Sequence, residues 1–213
     1  AERSLIEALV ARICTQPEPL RLCYQVTECA DCLSTLLYLD AYYSSGFEGY
    51  QRNCLQSEFN LEFVAYDPYF RDAKSNAQRL QPGLNRVEVS GTAPCDFCIV
   101  IRTGSNGMNL TSILNTSLPV DVYFGNPTPG IPMGPGETWT YCTASSRLTV
   151  EFQDGSISDQ TGLIHMPLSC PSDLKIVNGE NRIEIGASAL SADSTMHVVW
   201  NDCYDGVSGV KRK

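Results

Sequence analysis

Cysteine is the residue type in this sequence with the greatest capacity for chemistry. Ten cysteines occur among 213 residues, and their even number and wide spread are typical of a disulfide framework. Such frameworks persist in secreted proteins and are rare in the cytosol. We therefore expect a secreted, extracellular protein. The disulfide candidates are Cys14, Cys23, Cys29, Cys32, Cys54, Cys95, Cys98, Cys142, Cys170 and Cys203.

Two Cys-x-x-Cys pairs raise two alternatives to structural disulfides. Together Cys29, Cys32, Cys95 and Cys98 could bind zinc tetrahedrally, but 63 residues separate the pairs, far more than in a zinc ribbon. The first pair also precedes a segment that suits a helix, whose dipole would stabilise a thiolate as in thiol oxidoreductases. The rest of the chain lacks the βαβ alternation of such enzymes. We therefore predict no metal, and disulfides from Cys29 and Cys32 to different partners.

No other pattern indicates catalysis. The two histidines, His165 and His197, both lie in segments that alternate like strands, and no serine stands in a Gly-x-Ser-x-Gly sequence. The acidic residues include no distinctive pair for glycoside hydrolysis. We predict no catalytic residue and no cofactor, and we rank a thiol oxidoreductase at Cys29 and Cys32 below any binding function.

Two Asn-x-Ser/Thr sequences agree with an extracellular location. They begin at Asn109 and Asn115, in a polar stretch that resembles a loop, and both are predicted glycosylation sites. The first residues lack the basic start and apolar run of a signal peptide, which suits a mature, processed chain.

Charge and composition exclude several classes of protein. The net charge of −9 argues against a nucleic-acid partner, whose phosphates attract a basic surface. No run approaches the roughly 20 apolar residues of a membrane span. A charged fraction of 18%, with 12 prolines and 16 glycines, is unlike a coiled coil.

The residues before position 58 predict a small, cysteine-rich helical unit. Ser4 and Glu7 form a capping box, and apolar residues recur at helical spacing up to Ile13. Residues 20–27 alternate like a strand, and residues 31–43 predict a second helix. Residues 58–79 are apolar enough to form a packed joint.

Residues 80–213 predict an antiparallel β-sandwich, because short alternating runs are divided by glycine, proline, asparagine and aspartate. The fold class is therefore mostly β with a small α part, with domains at 1–57, 58–79 and 80–213. The nine predicted strands are 85–89, 98–102, 120–124, 138–141, 147–152, 162–166, 174–177, 181–185 and 197–200.

Two segments of this region are alike. Residues 83–89 and 179–185 each have a glycine, then Asn-Arg, then alternating apolar residues. They predict equivalent strands of two sheets. The alternative is that the two segments are alike only because each leads from a turn into a strand.

Aromatic residues cluster in and after the predicted second helix. A tyrosine ring is apolar while its hydroxyl stays hydrated, which suits a protein or sugar contact surface. The alternative is that these rings cover the joint. The predicted contact residues are Tyr38, Tyr42, Tyr43, Phe47 and Tyr50.

These patterns predict a glycoprotein that acts as a structural or assembly subunit of an extracellular surface layer, filament or matrix. Its partners would be its own copies or other extracellular proteins. The alternative is a binding module for glycans or a host protein, with the tyrosines or residues 129–136 as contacts. Five cysteines precede residue 60 and five follow residue 90. Because both numbers are odd, either a bond joins the halves or two cysteines stay free or bond between chains.

Overall fold

The computed structural model consists mainly of antiparallel β-strands. The chain divides into two compact units, unit 1 with residues 1–73 and 205–207, and unit 2 with residues 74–204 and 208–213. This division falls inside the predicted joint. No helix in the described part of the chain is long and apolar enough to cross a membrane. The described residues are 8, 11–13, 16–26, 35–46, 51–52, 57–58, 61–118, 120–124, 130–165, 174–188 and 191–206.

Unit 1 is organised around one antiparallel strand pair. In chain order its strands are β1 (Leu20–Val26), β2 (Thr35–Ser45), β3 (Gln51–Arg52), β4 (Ser57–Glu58), β5 (Glu62–Val64) and the first residues of β6 (Phe70–Leu80). Strand β1 pairs with β2 from Leu20 opposite Ala41 to Val26 opposite Thr35. Strand β2 also pairs with β5 and with the beginning of β6, and β3 pairs with β4.

The predicted helix over residues 31–43 is wrong from Thr35 onward. These residues form β2, in which Leu37 and Ala41 are buried on one face. Threonine and tyrosine favour strands, and pairing with β1 gives the segment a partner along seven residues. The predicted strand over 20–27 is confirmed as β1, and residues 8 and 11–13 are helical, within the predicted first helix. A disulfide-rich helical unit is not what unit 1 shows in its described part.

Unit 2 holds two antiparallel sheets. Its strands are β7 (Gly83–Val89), β8 (Phe97–Arg102), β9 (Met108–Asn115), β10 (Val120–Phe124), β11 (Ile131–Met133), β12 (Thr138–Cys142), β13 (Arg147–Glu151), β14 (Ile157–Asp159), β15 (Ile164–His165), β16 (Gly179–Ser188) and β17 (Thr195–Tyr204). One sheet contains the order β17-β8-β12-β13-β14 with β6 beside β17, and the other has the order β15-β10-β9-β16-β7 with β11 paired to β9.

The core of unit 2 receives side chains from both sheets. Buried and less buried residues alternate along β8 and β16, as expected for strands with one face toward a core. Phe124 of one sheet and Tyr141 of the other pack edge to face, with ring centroids 5.8 Å apart.

Seven of the nine predicted strands of this region are confirmed, and 120–124 matches β10 at both ends. Residues 174–177 form only an isolated bridge at Ile176, and 162–166 holds the end of a 3-10 turn followed by β15. Strand β9 was missed because its polar residues resemble a loop. Its burial does not alternate regularly, because the register with β16 shifts between Gly186 and Ala187, where β9 contains one extra residue, Thr111.

The two alike segments lie in one sheet, so the prediction that they belong to two sheets is wrong. They form β7 and the start of β16, which pair antiparallel with each other. Arg86 lies opposite Arg182 at the centre of this pairing. A local approximate twofold axis therefore relates the segments.

Candidate contact surface and cysteine sites

Unit 1 carries an exposed, largely apolar surface on one face of β2. Alternate residues of a strand share a face, which places Leu36, Tyr38 and Tyr42 together. Val64 of β5 lies opposite Tyr42, and the Tyr66 ring contacts the Tyr42 ring. We call these five residues the aromatic face. Tyr66 is its most exposed member, at 84%.

Rings on this face are held in place by specific contacts. The Tyr42 and Tyr66 centroids are 5.4 Å apart, with the rings edge to face. The Arg21 guanidinium lies 4.1 Å from the Tyr38 centroid, a cation–π geometry. Arg21 also donates to both carboxylate oxygens of Asp40, at 3.0 and 3.2 Å, and this hydrogen bonding raises the pKa of Arg21. The aromatic face therefore includes a fixed positive group beside its rings.

The structure brings only some of the predicted contact residues together. Tyr38 and Tyr42 lie on the aromatic face. Tyr43 points to the opposite face, because it is adjacent to Tyr42 in a strand, and it packs edge to face on Phe63 at 6.1 Å. Tyr43 therefore packs on Phe63 and does not belong to the aromatic face. Phe47 and Tyr50 lie outside the described residues.

Cys98 and Cys142 form a disulfide between register partners of β8 and β12, with Cα atoms 4.1 Å apart. The zinc alternative is therefore wrong for Cys98, whose sulfur is bonded to carbon and to Cys142. In an extended chain a three-residue spacing directs Cys95 and Cys98 to opposite faces. The two cysteines of this Cys-x-x-Cys sequence therefore face different neighbours.

Cys95 and Cys203 are buried and lie close together, whereas Cys23 is exposed on β1; none of the three is in a disulfide in the structure. The thiol-oxidoreductase hypothesis rests on Cys29 and Cys32, which lie outside the described residues. The helix that would lower their pKa is replaced by β2 from Thr35 onward. The other cysteines outside the described residues are Cys14, Cys54 and Cys170.

The two histidines lie in different sheets of unit 2. His165 of β15 is exposed and pairs with Tyr123, whereas His197 of β17 pairs with Val100. The described residues contain no group of three or more His, Cys, Asp or Glu side chains that could hold a metal ion.

The two sequons differ in accessibility. Asn109 is half-buried on β9, with its amide against Gly130. Asn115 is fully buried: its Nδ2 donates to the Lys175 carbonyl at 2.7 Å, and its Oδ1 accepts from the Ser117 amide at 3.0 Å. Because Nδ2 is the atom that a glycan would modify, the folded structure has no room for a glycan at Asn115.

Residues 130–136 are less available for contact than the sequence indicated. Ile131 and Met133 are buried in β11, which pairs with β9. The Gly134 amide donates to the Glu137 carboxylate at 2.7 Å, and the same carboxylate accepts from the Trp139 indole at 2.7 Å. This segment is therefore part of the structural framework of unit 2.

Sequence reasoning missed a polar cluster that joins two loops of unit 2. The Ser105 amide donates to Asp193 at 2.9 Å, and the Gly104 amide donates to the Ser194 hydroxyl at 2.9 Å. Hydrogen bonds from Ser191 and from Ser105 lower the pKa of Asp193. No cysteine, histidine or motif in the sequence marks this cluster, and its groups satisfy one another.

The sequence of the chain matches no protein-family model and no curated protein.

Proposed function

We propose that the chain is a disulfide-bonded subunit of an extracellular surface layer, filament or matrix, and that it assembles through the aromatic face of unit 1. In this proposal unit 2 is a β-sandwich that serves as a rigid body. The Phe124–Tyr141 contact between its sheets and the Cys98–Cys142 disulfide support that role.

The observation that carries the proposal is where apolar side chains are exposed. Unit 1 has fewer described residues than unit 2, yet among the described residues of the chain it holds five of the nine large apolar side chains that are exposed. Four of the five belong to the aromatic face. Concentrated exposed apolar surface marks interaction sites, whereas scattered apolar residues are ordinary. The five are Tyr24, Leu36, Tyr42, Val64 and Tyr66.

Strand β1 supports the same conclusion. Among the described strands it has one neighbour, β2, and it stands at the end of its sheet. An edge strand has backbone groups available for pairing with another chain. Its Cys23 lies opposite Tyr38, at the border of the aromatic face. Assembly could therefore be noncovalent through the rings or reinforced by a disulfide at Cys23.

Sedimentation velocity at increasing protein concentration tests self-association. We expect the wild type to associate, and the double variant Tyr42→Ser/Tyr66→Ser to stay monomeric. The matched control is Leu84→Ser/Ile157→Ser, which removes two exposed apolar side chains from unit 2 and should associate like the wild type. Equal association of both double variants, or a wild type that is monomeric throughout, would contradict the proposal.

Electrophoresis without and with reductant tests the covalent part. A dimer band that disappears on reduction and in Cys23→Ser would assign the bond to Cys23. A monomer under both conditions eliminates covalent assembly and leaves the noncovalent one.

The second candidate is a binding module for glycans or a host protein. The observation that favours it is the nearly free ring of Tyr66 beside Tyr42, since exposed aromatic rings stack on sugars. A glycan array distinguishes the two: a hit that is lost in Tyr66→Ser favours binding, and no hit together with self-association favours assembly.

The extracellular location is tested on protein taken directly from its natural source. If thiols are alkylated at the moment of harvest, we expect Cys98 and Cys142 to be unlabelled and linked. Complete labelling of both residues would contradict an oxidising environment.

A further inference from the structure

Cys95 and Cys203 are held side by side inside unit 2. The Cys203 amide donates to the Cys95 sulfur at 3.0 Å, and the two thiols donate to backbone carbonyls beside them, Cys95 to Ala93 at 3.4 Å and Cys203 to Asn201 at 3.5 Å. Cys95 has no exposed surface and Cys203 is 4% exposed. Both residues are therefore shielded from solvent and adjacent to each other, an arrangement that a buried cysteine acting only as a small apolar side chain does not need.

The backbone fixes both residues in this position. Ala93 pairs with Cys203, with its amide 3.0 Å from the Cys203 carbonyl oxygen, and Cys95 exchanges hydrogen bonds of 2.8 and 3.0 Å with Ile176. A Cβ atom on Gly91 would lie 2.3 Å from the same carbonyl oxygen, so only glycine permits this approach. The backbone of residues 91–95 therefore lies against the end of β17, and this close approach keeps the side chains of Cys95 and Cys203 together.

We propose that Cys95 and Cys203 form a second disulfide within unit 2, in addition to Cys98–Cys142. The oxidant is a small disulfide such as oxidised glutathione. One cysteine thiolate attacks it, which releases one glutathione thiolate and leaves a mixed disulfide. The second cysteine thiolate then displaces the other glutathione. Two protein thiols lose two protons and two electrons, and one glutathione disulfide becomes two thiols.

Burial determines when this bond forms. Contact with the Cys203 thiol and burial raise the pKa of Cys95, so the thiol form persists in the folded protein and attacks an oxidant slowly. We therefore expect oxidation while unit 2 folds or transiently opens. Once formed, the bond would be equally shielded from reductants. It would connect the segment just before β8 to the end of β17, whereas Cys98–Cys142 connects β8 to β12.

Disulfide mapping of the full-length chain tests the proposal. The reduced, unfolded protein is refolded in glutathione mixtures that are made more oxidising until Cys98–Cys142 is linked. Free thiols are then alkylated in denaturant, and peptides are identified by mass spectrometry. We expect a linked Cys95–Cys203 peptide and alkylated Cys23. Alkylation of both Cys95 and Cys203, or bonds from either to another cysteine, would overturn the proposal.

A matched pair of variants shows whether the Cys95–Cys203 bond forms by itself or only by exchange with Cys98–Cys142. In Cys98→Ala/Cys142→Ala the Cys95–Cys203 peptide should remain linked, because its geometry does not depend on the other bond. In Cys95→Ala/Cys203→Ala, reductant should lower the thermal midpoint only by the contribution of the Cys98–Cys142 bond. Loss of the Cys95–Cys203 peptide from the first variant while it is still folded by circular dichroism would show that the pairing is not intrinsic, which also overturns the proposal.

Discussion

Replacement of Tyr141 by phenylalanine should stabilise the protein. The Tyr141 side chain is 1% exposed, and its hydroxyl is buried with no hydrogen-bond partner in the described structure. Burial of a hydroxyl without a partner costs about 1–3 kcal/mol. Tyr141→Phe keeps the ring and its contact with Phe124 but leaves a small void in place of the oxygen. We therefore expect a net gain of about 1 kcal/mol, or roughly 2–4 °C in Tm.

Unfolding in urea, followed by tryptophan fluorescence, measures this gain directly. Both tryptophans of the chain, Trp139 and Trp200, are buried in unit 2, so their emission reports on the unit that holds the substitution. The control is Tyr123→Phe, whose ring is partly exposed and whose stability should change by less than about 0.5 kcal/mol. If Tyr141→Phe lowered the stability, the hydroxyl would have to donate a hydrogen bond, and the reasoning would be refuted.

The same residue predicts how stability depends on alkaline pH. Burial raises the pKa of Tyr141 to about 12 from its ordinary value of 10.0. Below the ordinary value the phenol is neutral in both states, and stability does not depend on it. As pH rises toward the folded pKa, only the unfolded state ionises, so stability falls by up to roughly 3 kcal/mol. The advantage of Tyr141→Phe over the wild type should therefore widen above about pH 10, and a constant difference would contradict this assignment.

Three further substitutions test separate parts of the structure. Cys98→Ala/Cys142→Ala should cost about 4 kcal/mol of unfolding free energy for a sequence separation of 44, and reduction of the Cys95→Ala/Cys203→Ala variant should cost about the same. Gly91→Ala should cost about 1–3 kcal/mol because a Cβ meets backbone, whereas Gly162→Ala, with open space at its Cβ, should be neutral in the same urea titration. Asn115→Ala should cost about 1–3 kcal/mol by removing two part-buried hydrogen bonds to the backbone, and intact-mass analysis of protein from a glycosylating host should show no glycan at that residue.

Short strands of unit 2 could be predicted from sequence because local residues delimit them. Glycine, proline and asparagine interrupt the apolar alternation, and this information is sufficient for β10 and β13. Strand β2 could not be predicted in the same way. Leu36, Leu37 and Leu39 fit a helix as well as a strand, and the decision depends on pairing with β1, which is a long-range contact.

The two alike segments show the same distinction between local and long-range information. Asn85 Nδ2 donates to the carbonyls of Gln81 and Gly83, and Asn181 Nδ2 donates in the same manner to those of Val177 and Gly179. The two glycines have φ angles of 89° and 88°. The sequence similarity thus reproduces a turn and a strand start down to individual hydrogen bonds. It contains no information on register, which is why the pairing of these strands with each other had to come from the structure.

Only part of the aromatic face could be predicted from the sequence, and the reason is again physical. Tyr38 and Tyr42 would share a face in a helix and also in a strand, because a spacing of four residues suits both periods. Tyr43 would lie near them only in a helix. Tyr66 is distant in sequence and joins the surface because β5 pairs with β2. The sequence therefore predicts an aromatic surface, whereas the residues that form it depend on the secondary structure.

Cysteine parity gives the strongest remaining constraint on how the chain is linked. Five cysteines follow residue 90, and the structure pairs Cys98 with Cys142 and places Cys95 against Cys203. If both pairs are bonded, Cys170 is the one cysteine of this group without a partner in the group. The odd number of cysteines after residue 90 then leaves only Cys170 to be assigned. Either Cys170 bonds to one of the five cysteines before residue 60, or it bonds to another molecule, or it stays reduced, and the peptide map that tests Cys95–Cys203 distinguishes these three outcomes in the same experiment.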